Sequence, residues 1–310
     1  MSLRLASIDL GTNTVRLLVA ERDRGGFRVV EQDQRVTRLG EGLAASGRLG
    51  EQPMARTSAV VAQYVERARR AGARATRIVA TSAVRDAANG AAFAAAVERQ
   101  TGVAVDVVSG EDEARLTIRG IRAGLAWSGE AMLAFDIGGG STEYTLARGA
   151  EVLASVSLRL GVVPLAERHP FPGAVDPGRY REMEASIRAR LESELPPAIR
   201  RCALGAVVGT AGTVTTLAAL DLGLADYDAA RVHGHRLGRA AVERLRDRLG
   251  ALTVAERAAL PCLEPGRADL VVPGVAIVLA TMDVTGAAEV VVSDWGLREG
   301  IMAEAIERWR

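Results

Sequence analysis

The 310-residue chain contains no lysine, so all 39 of its basic residues are arginine. That absence excludes the phosphate-gripping lysine of a P-loop, the lysine of a protein kinase and a Schiff-base lysine. Arginine in company with abundant alanine and glycine reflects GC-rich coding, and it also supplies a planar fork that grips phosphate through two N–H groups. Cysteine is nearly absent. Cys202 and Cys262 lie far apart among apolar neighbours, which argues against a disulfide or a zinc site and predicts two buried thiols in a reducing compartment. A formal net charge of +1 leaves no global basic field to recruit nucleic acid or a membrane surface. Long hydrophobic runs are missing too. The longest apolar stretch, Val271 to Met282, is interrupted by Pro273 and Gly274 and is too short to span a bilayer, and no leader-like region opens the chain, so a cytoplasmic protein is expected.

What the chain does have is a phrase written twice. Ser7 to Ala20 reads SIDLGTNTVRLLVA, and Ala134 to Ala147 reads AFDIGGGSTEYTLA. Each runs apolar residues into an Asp, then a tight turn of glycines and hydroxyls, then alternating apolar residues, the pattern of a β-hairpin with anion-sized donors at its tip. A third segment, AVVGTAGTVTTLAAL from Ala206, is an apolar strand entering Gly209-Thr210-Ala211-Gly212-Thr213. Glycine lets successive backbone N–H groups converge on one anion, Ser and Thr hydroxyls add donors, and a helix start behind a turn adds positive potential. Two such turns facing each other would clamp a phosphate. A carboxylate beside bound phosphate repels it unless a cation lies between them, so Asp9, Asp136 and Glu143 imply Mg²⁺ or a similar hard, oxygen-seeking ion.

The remaining pattern is layered. From Leu3 to Val36 the chain alternates as strands with a Gly25-Gly26 turn. A helix is expected over about Pro53 to Ala71, then a strand over Arg77 to Ala80 ending in Thr81-Ser82-Ala83-Val84-Arg85, then another helix. The strand Val103 to Val108 leads into Ser109-Gly110-Glu111-Asp112-Glu113, where Ser109 with Asp112 three residues on signals the N-cap of a helix running to about Ala126. A carboxylate in that first turn is held ionised by the helix dipole, as a general base must be, and Glu113 stands there. The second half repeats the logic with a strand near Val152 to Leu158, a proline-rich loop from Pro164 to Pro177 and a charged helix from Arg179 to Cys202 broken at Pro196-Pro197. After the third glycine turn come helices from about Arg239, Val254 and Arg267, a strand Glu289 to Val292 and a final amphipathic helix reaching Trp309. The expected architecture is α/β, in two similar domains with a cleft between them: residues 1–125 with the C-terminal helix 298–310 packed back on them, and residues 126–297.

SIDLGTNTVRLL, ATSAVRDAAN, VVSGEDEARL, FDIGGGSTEY, VGTAGTVTTLAAL, RVHGHRL, VPGVAI and VSDWGLREG, in that order over nearly the whole chain, resemble the exopolyphosphatase and guanosine pentaphosphate phosphohydrolase (Ppx/GppA) family. The likeness is to its short two-domain form, without the helical extension of longer members. It implies two ribonuclease H-like domains of the actin, sugar-kinase and heat-shock ATPase type, and hydrolysis of the terminal phosphoanhydride of inorganic polyphosphate or of guanosine pentaphosphate. Under the same resemblance Glu113 is the catalytic base that deprotonates water, and Asp136 and Glu143 hold Mg²⁺ or Mn²⁺. Asp9, Gly11, Thr12 and Asn13 form the first phosphate loop, Gly138, Gly139, Gly140, Ser141 and Thr142 the second, and Gly209, Thr210, Gly212 and Thr213 the third. Arg85 reaches the substrate from the first domain. A homodimer is implied as well, for which the C-terminal stripe Ile301, Ala305, Ile306 and Trp309 offers a surface.

Other readings stand beside these. Glu111 and Asp112 read as solvated capping acids, and Arg85 has Asp86 and Glu98 as alternative ion-pair partners. His233 and His235, alternate residues of an expected strand, lack a third ligand and read as rim or structural residues. Trp295 and Trp309 read as core or interface anchors rather than platforms for a base. Arg115, Arg119, Arg236 and Arg267 are the further arginines that a long phosphate chain would favour. A sugar or acetate kinase would need an adenosine pocket and an acceptor site, and a polyphosphate or nucleotide sensor would have no use for Glu113 together with two metal-side acids.

Overall fold

Both copies of the doubled phrase fold as antiparallel hairpins, and each hairpin starts a sheet of the same topology in a computed structural model that describes residues 3–309 except 25, 126, 128 and 129. The chain divides into two units, Met1–Ala126 with Trp295–Arg310, and Trp127–Asp294.

The first unit carries β1 (Arg4–Leu10), β2 (Thr14–Asp23), β3 (Gly26–Val36), β4 (Ala75–Ala80) and β5 (Val105–Val107) in the order β3-β2-β1-β4-β5. β1, β2 and β3 pair antiparallel, and β4 and β5 run parallel to β1. Gly25 of the expected turn lies outside the described residues. β1 is buried along nearly its whole length because helices cover both faces. Ala6, Ile8 and Leu10 point one way, with Val61, Tyr64 and Val65 of helix Glu51–Arg70 and Phe93 and Val97 of helix Gly90–Thr101 in their core cluster. Leu5 points the other way, into a cluster with Leu18 and with Met302 and Ile306 of helix Leu297–Arg308.

That last helix and helix Gly110–Gly124 cross backbone to backbone. A Cβ at Gly120 would lie 1.9 Å from the Gly296 carbonyl oxygen, and one at Gly300 1.8 Å from that of Leu116, so no side chain fits at either position. Of the two uses open to the C-terminal stripe, a homodimer surface or packing on the first domain, packing within this unit is the one its buried residues show. Ile301 is buried with Val79 and Leu116, and Ile306 with Leu5 and Leu18, within this unit. Trp309 stays 40% exposed, with the Arg74 guanidinium 4.8 Å over its ring. Trp295 stacks on Phe27 with ring centroids 5.2 Å apart.

The second unit carries β6 (Ala131–Ile137), β7 (Thr142–Arg148), β8 (Glu151–Leu158), β9 (Ala206–Thr210), β10 (Arg236–Gly238) and β11 (Glu289–Val292) in the order β10-β11-β9-β6-β7-β8. Counted from its own hairpin this is the first unit's order with β10 added antiparallel at one edge. A three-stranded meander followed by two parallel strands is the ribonuclease H-like arrangement, and it occurs twice. Residues Val271 to Met282 are all buried in helix Val271–Thr285, which accounts for the long apolar stretch as core. Among the described residues no helix is long and apolar enough to cross a membrane.

Several local expectations differ from what forms. The proline-rich loop begins with helix Val162–Arg168, whose Pro164 sits in the first turn, where a missing N–H breaks no helical bond. The charged helix is two, Pro177–Glu194 and Pro197–Arg201, each opened by a proline. The helix expected from Arg267 starts at Val271, after a single tight turn over Pro265–Arg267. Cys202 and Cys262 are free but half-buried rather than buried.

Candidate active site

In the first unit β1 ends at Leu10, and Gly11 turns the chain back by donating its N–H to the Thr14 carbonyl at 3.1 Å. The segment after β3 backs this loop, with Thr37 and Arg38 N–H groups on the Asn13 carbonyl at 2.9 and 3.0 Å and the Gly40 N–H on that of Thr12 at 2.9 Å. Thr12 Oγ1 lies 2.8 Å from Ser82 Oγ in a buried pair, so one of the two hydroxyl protons is used between them and the other is available to an anion. Asn13 Oδ1 is buried with no hydrogen-bond partner among the described residues, an amide end whose capacity the protein leaves unused.

Asp9 departs from expectation. It is 3% exposed and accepts from Arg16 Nη1 at 3.1 Å, directly across the hairpin. Burial pushes its carboxyl above the usual carboxylate range against the pull of Arg16 and Arg298. The positive charge beside this carboxylate is the Arg16 guanidinium.

Ser82 opens the short helix Ser82–Asp86 that carries Arg85. Arg85 Nη1 donates to Glu113 Oε2 at 2.9 Å and to the Val108 carbonyl at 3.1 Å, while its Nε lies 3.7 Å from Asp86 Oδ1. Glu113 is 8% exposed in the first turn of helix Gly110–Gly124, behind a cap in which Ser109 Oγ accepts the Asp112 N–H at 3.1 Å. Sequence placed Glu113 on that turn. It did not place Arg85 against it.

In the second unit Gly138 repeats the turn of Gly11, its N–H on the Ser141 carbonyl at 2.9 Å. The carbonyls of Gly138 and Gly139 accept from Val162 and Val163 at 3.2 and 2.8 Å, fixing the loop to the start of helix Val162–Arg168. Thr142 Oγ1 donates to the Leu160 carbonyl at 2.5 Å and the residue is fully buried, so the hydroxyl expected to meet phosphate is used inside the fold. Asp136 pairs with Glu143 across the strands, which brings both carboxylates to one face of the sheet. Ser157 Oγ donates to Glu143 Oε1 at 2.6 Å. Among the described residues no group of three or more His, Cys, Asp or Glu is placed to hold a metal.

The third turn runs from strand to helix, Thr210 leading into helix Ala211–Asp221. A Cβ at Gly212 would lie 1.7 Å from Arg267 Nη1, so glycine is what lets that guanidinium lie against the turn. Ala211 adopts φ +66°, a left-handed conformation a non-glycine residue adopts at a cost. Thr213 sets its methyl against Gly274 of helix Val271–Thr285.

Of the arginines that sequence could not place, Arg267 is the one beside a glycine turn, and it also pairs with Glu264 at 3.2 Å. Arg115 pairs with Glu304 and Asp112, Arg119 with Glu307, and Arg236 with Glu289. His233 and His235 share no strand: His233 follows helix Ala229–Val232 and accepts the Asp294 N–H, and His235 Nε2 lies 2.9 Å from Asp221 Oδ2. Arg16, Ser82 and Ser157 were missed. Arg16 stands seven residues after Asp9, as Glu143 does after Asp136, so aligning the two copies of the phrase was enough to find it.

The Ppx/GppA phosphatase family model matches residues 18–308. Exopolyphosphatase 2 of Mycobacterium tuberculosis is 38% identical over 287 residues, covering 89% of this chain and 88% of that one. The crystal structure of the Aquifex aeolicus member of the Ppx/GppA family superposes with a TM-score of 0.84 at 30% identity, covering 100% of this chain and 99% of that one. An exopolyphosphatase structure from Cytophaga hutchinsonii gives a TM-score of 0.91 at 25% identity, covering 98% of both. With its duplicated hairpins and a third glycine turn on a twice-built ribonuclease H-like sheet, the chain belongs to the Ppx/GppA phosphatase family.

Proposed function

We propose that the protein is a metal-dependent exopolyphosphatase, which hydrolyses the terminal phosphoanhydride of inorganic polyphosphate and releases orthophosphate. The observation that carries the mechanism is Glu113, a buried carboxylate in the first turn of a capped helix with an arginine against it. Relatives named exopolyphosphatases support the substrate class. Water oxygen bonds to the terminal phosphorus, the bridging P–O bond breaks, and the water proton passes to Glu113. Such a transfer demands positioning and charge neutralisation more than covalent chemistry from the protein. Arg85 and the N–H groups of the glycine turns supply donors to phosphoryl oxygens.

Asp136 and Glu143 would hold Mg²⁺ or Mn²⁺. Two carboxylates on one face fit Mg²⁺, which completes its shell with phosphate oxygens and water and does not demand an all-protein cage. When bound, the cation neutralises charge on the phosphoryl oxygens.

Phosphate release from polyphosphates of graded length, beside guanosine pentaphosphate and ATP, tests the reading. Polyphosphate is expected to have the highest kcat/KM. A higher value for guanosine pentaphosphate transfers the activity to that nucleotide. Glu113→Gln, which keeps size and hydrogen bonding, is expected to lower kcat by roughly two to four orders of magnitude. A folded Glu113→Gln protein with near wild-type turnover removes Glu113 as the base.

A further inference from the structure

Glu113 has been assigned to accept a proton from water, yet one of its oxygens is held by Arg85 Nη1 at 2.9 Å. A carboxylate engaged by a guanidinium has a lone pair withdrawn from that task. The contact is a single nitrogen on a single oxygen, not the two parallel bonds of a fork-to-fork pair, and Nη1 is shared with the Val108 carbonyl at 3.1 Å. Arg85 is also 22% exposed while Glu113 is nearly buried, so an incoming ligand meets the arginine before the acid. A terminal phosphate carries more charge than a carboxylate and presents several oxygens to the fork, so it is the stronger acceptor.

We propose that Arg85 is a substrate-operated latch. In the resting protein it occupies Glu113 Oε2; the terminal phosphate of a phosphoanhydride draws it away and opens that oxygen to water. The inference rests on the reading of Glu113 as base and Arg85 as phosphate ligand, and adds that the two functions exclude each other at one guanidinium. The pairing then makes the base competent only when a phosphoryl group is in place.

The consequence is competition, which a double-mutant cycle on binding detects. The probe is a methylene-bridged tripolyphosphate, which keeps the terminal phosphate and cannot be hydrolysed at the bridge, titrated calorimetrically with Mg²⁺ present. Glu113→Gln is expected to tighten binding roughly fivefold, because Arg85 then leaves a neutral amide instead of the Glu113 carboxylate, with the longer contact to Asp86 the same in both proteins. In an Arg85→Gln background, Glu113→Gln is expected to leave affinity within twofold; Arg85→Met serves as a second background, with folding checked by circular dichroism. Equal tightening in both backgrounds assigns the effect to repulsion of phosphate by Glu113 and overturns the latch. Unchanged or weaker binding in Glu113→Gln alone overturns it as well. A wild-type protein that releases phosphate from polyphosphate and shows no coupling keeps its function without the latch, whereas one that neither binds the analogue nor hydrolyses polyphosphate loses the functional reading itself.

Discussion

At the mouth of the first hairpin the residues side by side across the sheet are Val79, Asp9, Arg16 and Gln34; in the second unit the matching row is Thr210, Asp136, Glu143 and Ser157. Strand order, pairing sense and the glycine turn with its i to i+3 hydrogen bond are the same in both. One row neutralises itself, Asp9 against Arg16. The other sets two acids together with hydroxyls on either side, one of which already donates to Glu143. Like charges directly opposite on a sheet are unfavourable unless something positive joins them. A duplicated backbone thus carries an acid-base pair in one copy and two acids in the other, and the cation proposed above belongs with the second.

The strongest way to break this contrast is to write the first row into the second. Glu143→Arg places a guanidinium where the second acid stood, and kcat is expected to fall by roughly three orders of magnitude or more, with no recovery at high Mg²⁺, as measured by phosphate release. Wild-type protein stripped of metal and assayed with excess chelator is expected to lose turnover likewise; full activity there ends the case for a cation.

The converse change acts on stability. Arg16→Met leaves Asp9 buried without its guanidinium and is expected to cost about 3 kcal/mol in urea unfolding near neutral pH. Burial already raises the Asp9 carboxyl, and loss of Arg16 raises it further. A raised folded pKa makes the penalty largest at high pH and relieves it as pH falls through that value, so the gap to wild type should narrow on acidification. A gap independent of pH would mean that Asp9 is not the group left uncompensated.

A second acid of the first unit, Glu304, is also paired internally. Glu304 receives Arg77, Arg115 and Arg308, and although burial works to raise its carboxyl, the hydrogen bonds and charges of Arg115 and Arg77 hold it below the ordinary 4.5. Its contribution is complete above pH 4.5 and lost as pH falls through the depressed value, so Glu304→Gln should cost about 1–2 kcal/mol at neutral pH and less in acid.

The smallest expected effect sits at the third turn, which differs from both hairpins in putting a non-glycine residue at positive φ. Ala211→Gly should relieve the left-handed strain and, after the added freedom of the unfolded chain, gain about 0.5 kcal/mol in thermal or urea unfolding.

The hairpins were legible because period-two alternation around Asp and Gly is local, and its repetition doubled the signal. The Glu113 cap was legible for the same reason, being contained within five residues. The helix hidden in the proline-rich segment was not, since Pro164 reads as a breaker until its place in a first turn is known. Arg267 reaches Gly212 from 55 positions away and Arg85 reaches Glu113 from 28, and pattern in a single sequence carries no information on such encounters. Thr142 shows the other limit: a hydroxyl in a glycine turn reads as a donor to ligand, but which face it takes depends on the neighbouring Leu160 carbonyl.

The backbone-to-backbone seat of Gly300 on Leu116, and the bond from Ser7 Oγ to the Arg298 carbonyl at 3.1 Å, join residues separated by up to 291 positions. During synthesis the first unit must therefore wait, with its sheet face of Leu5, Leu18 and Ala20 uncovered, until the whole of Trp127–Asp294 has left the ribosome and the final helix can follow. The second unit is contiguous and has no such dependence. Within these residues the unit begun first is completed last, so a pause or premature stop before Leu297 would strand the helix bearing Glu113 without the partner it crosses.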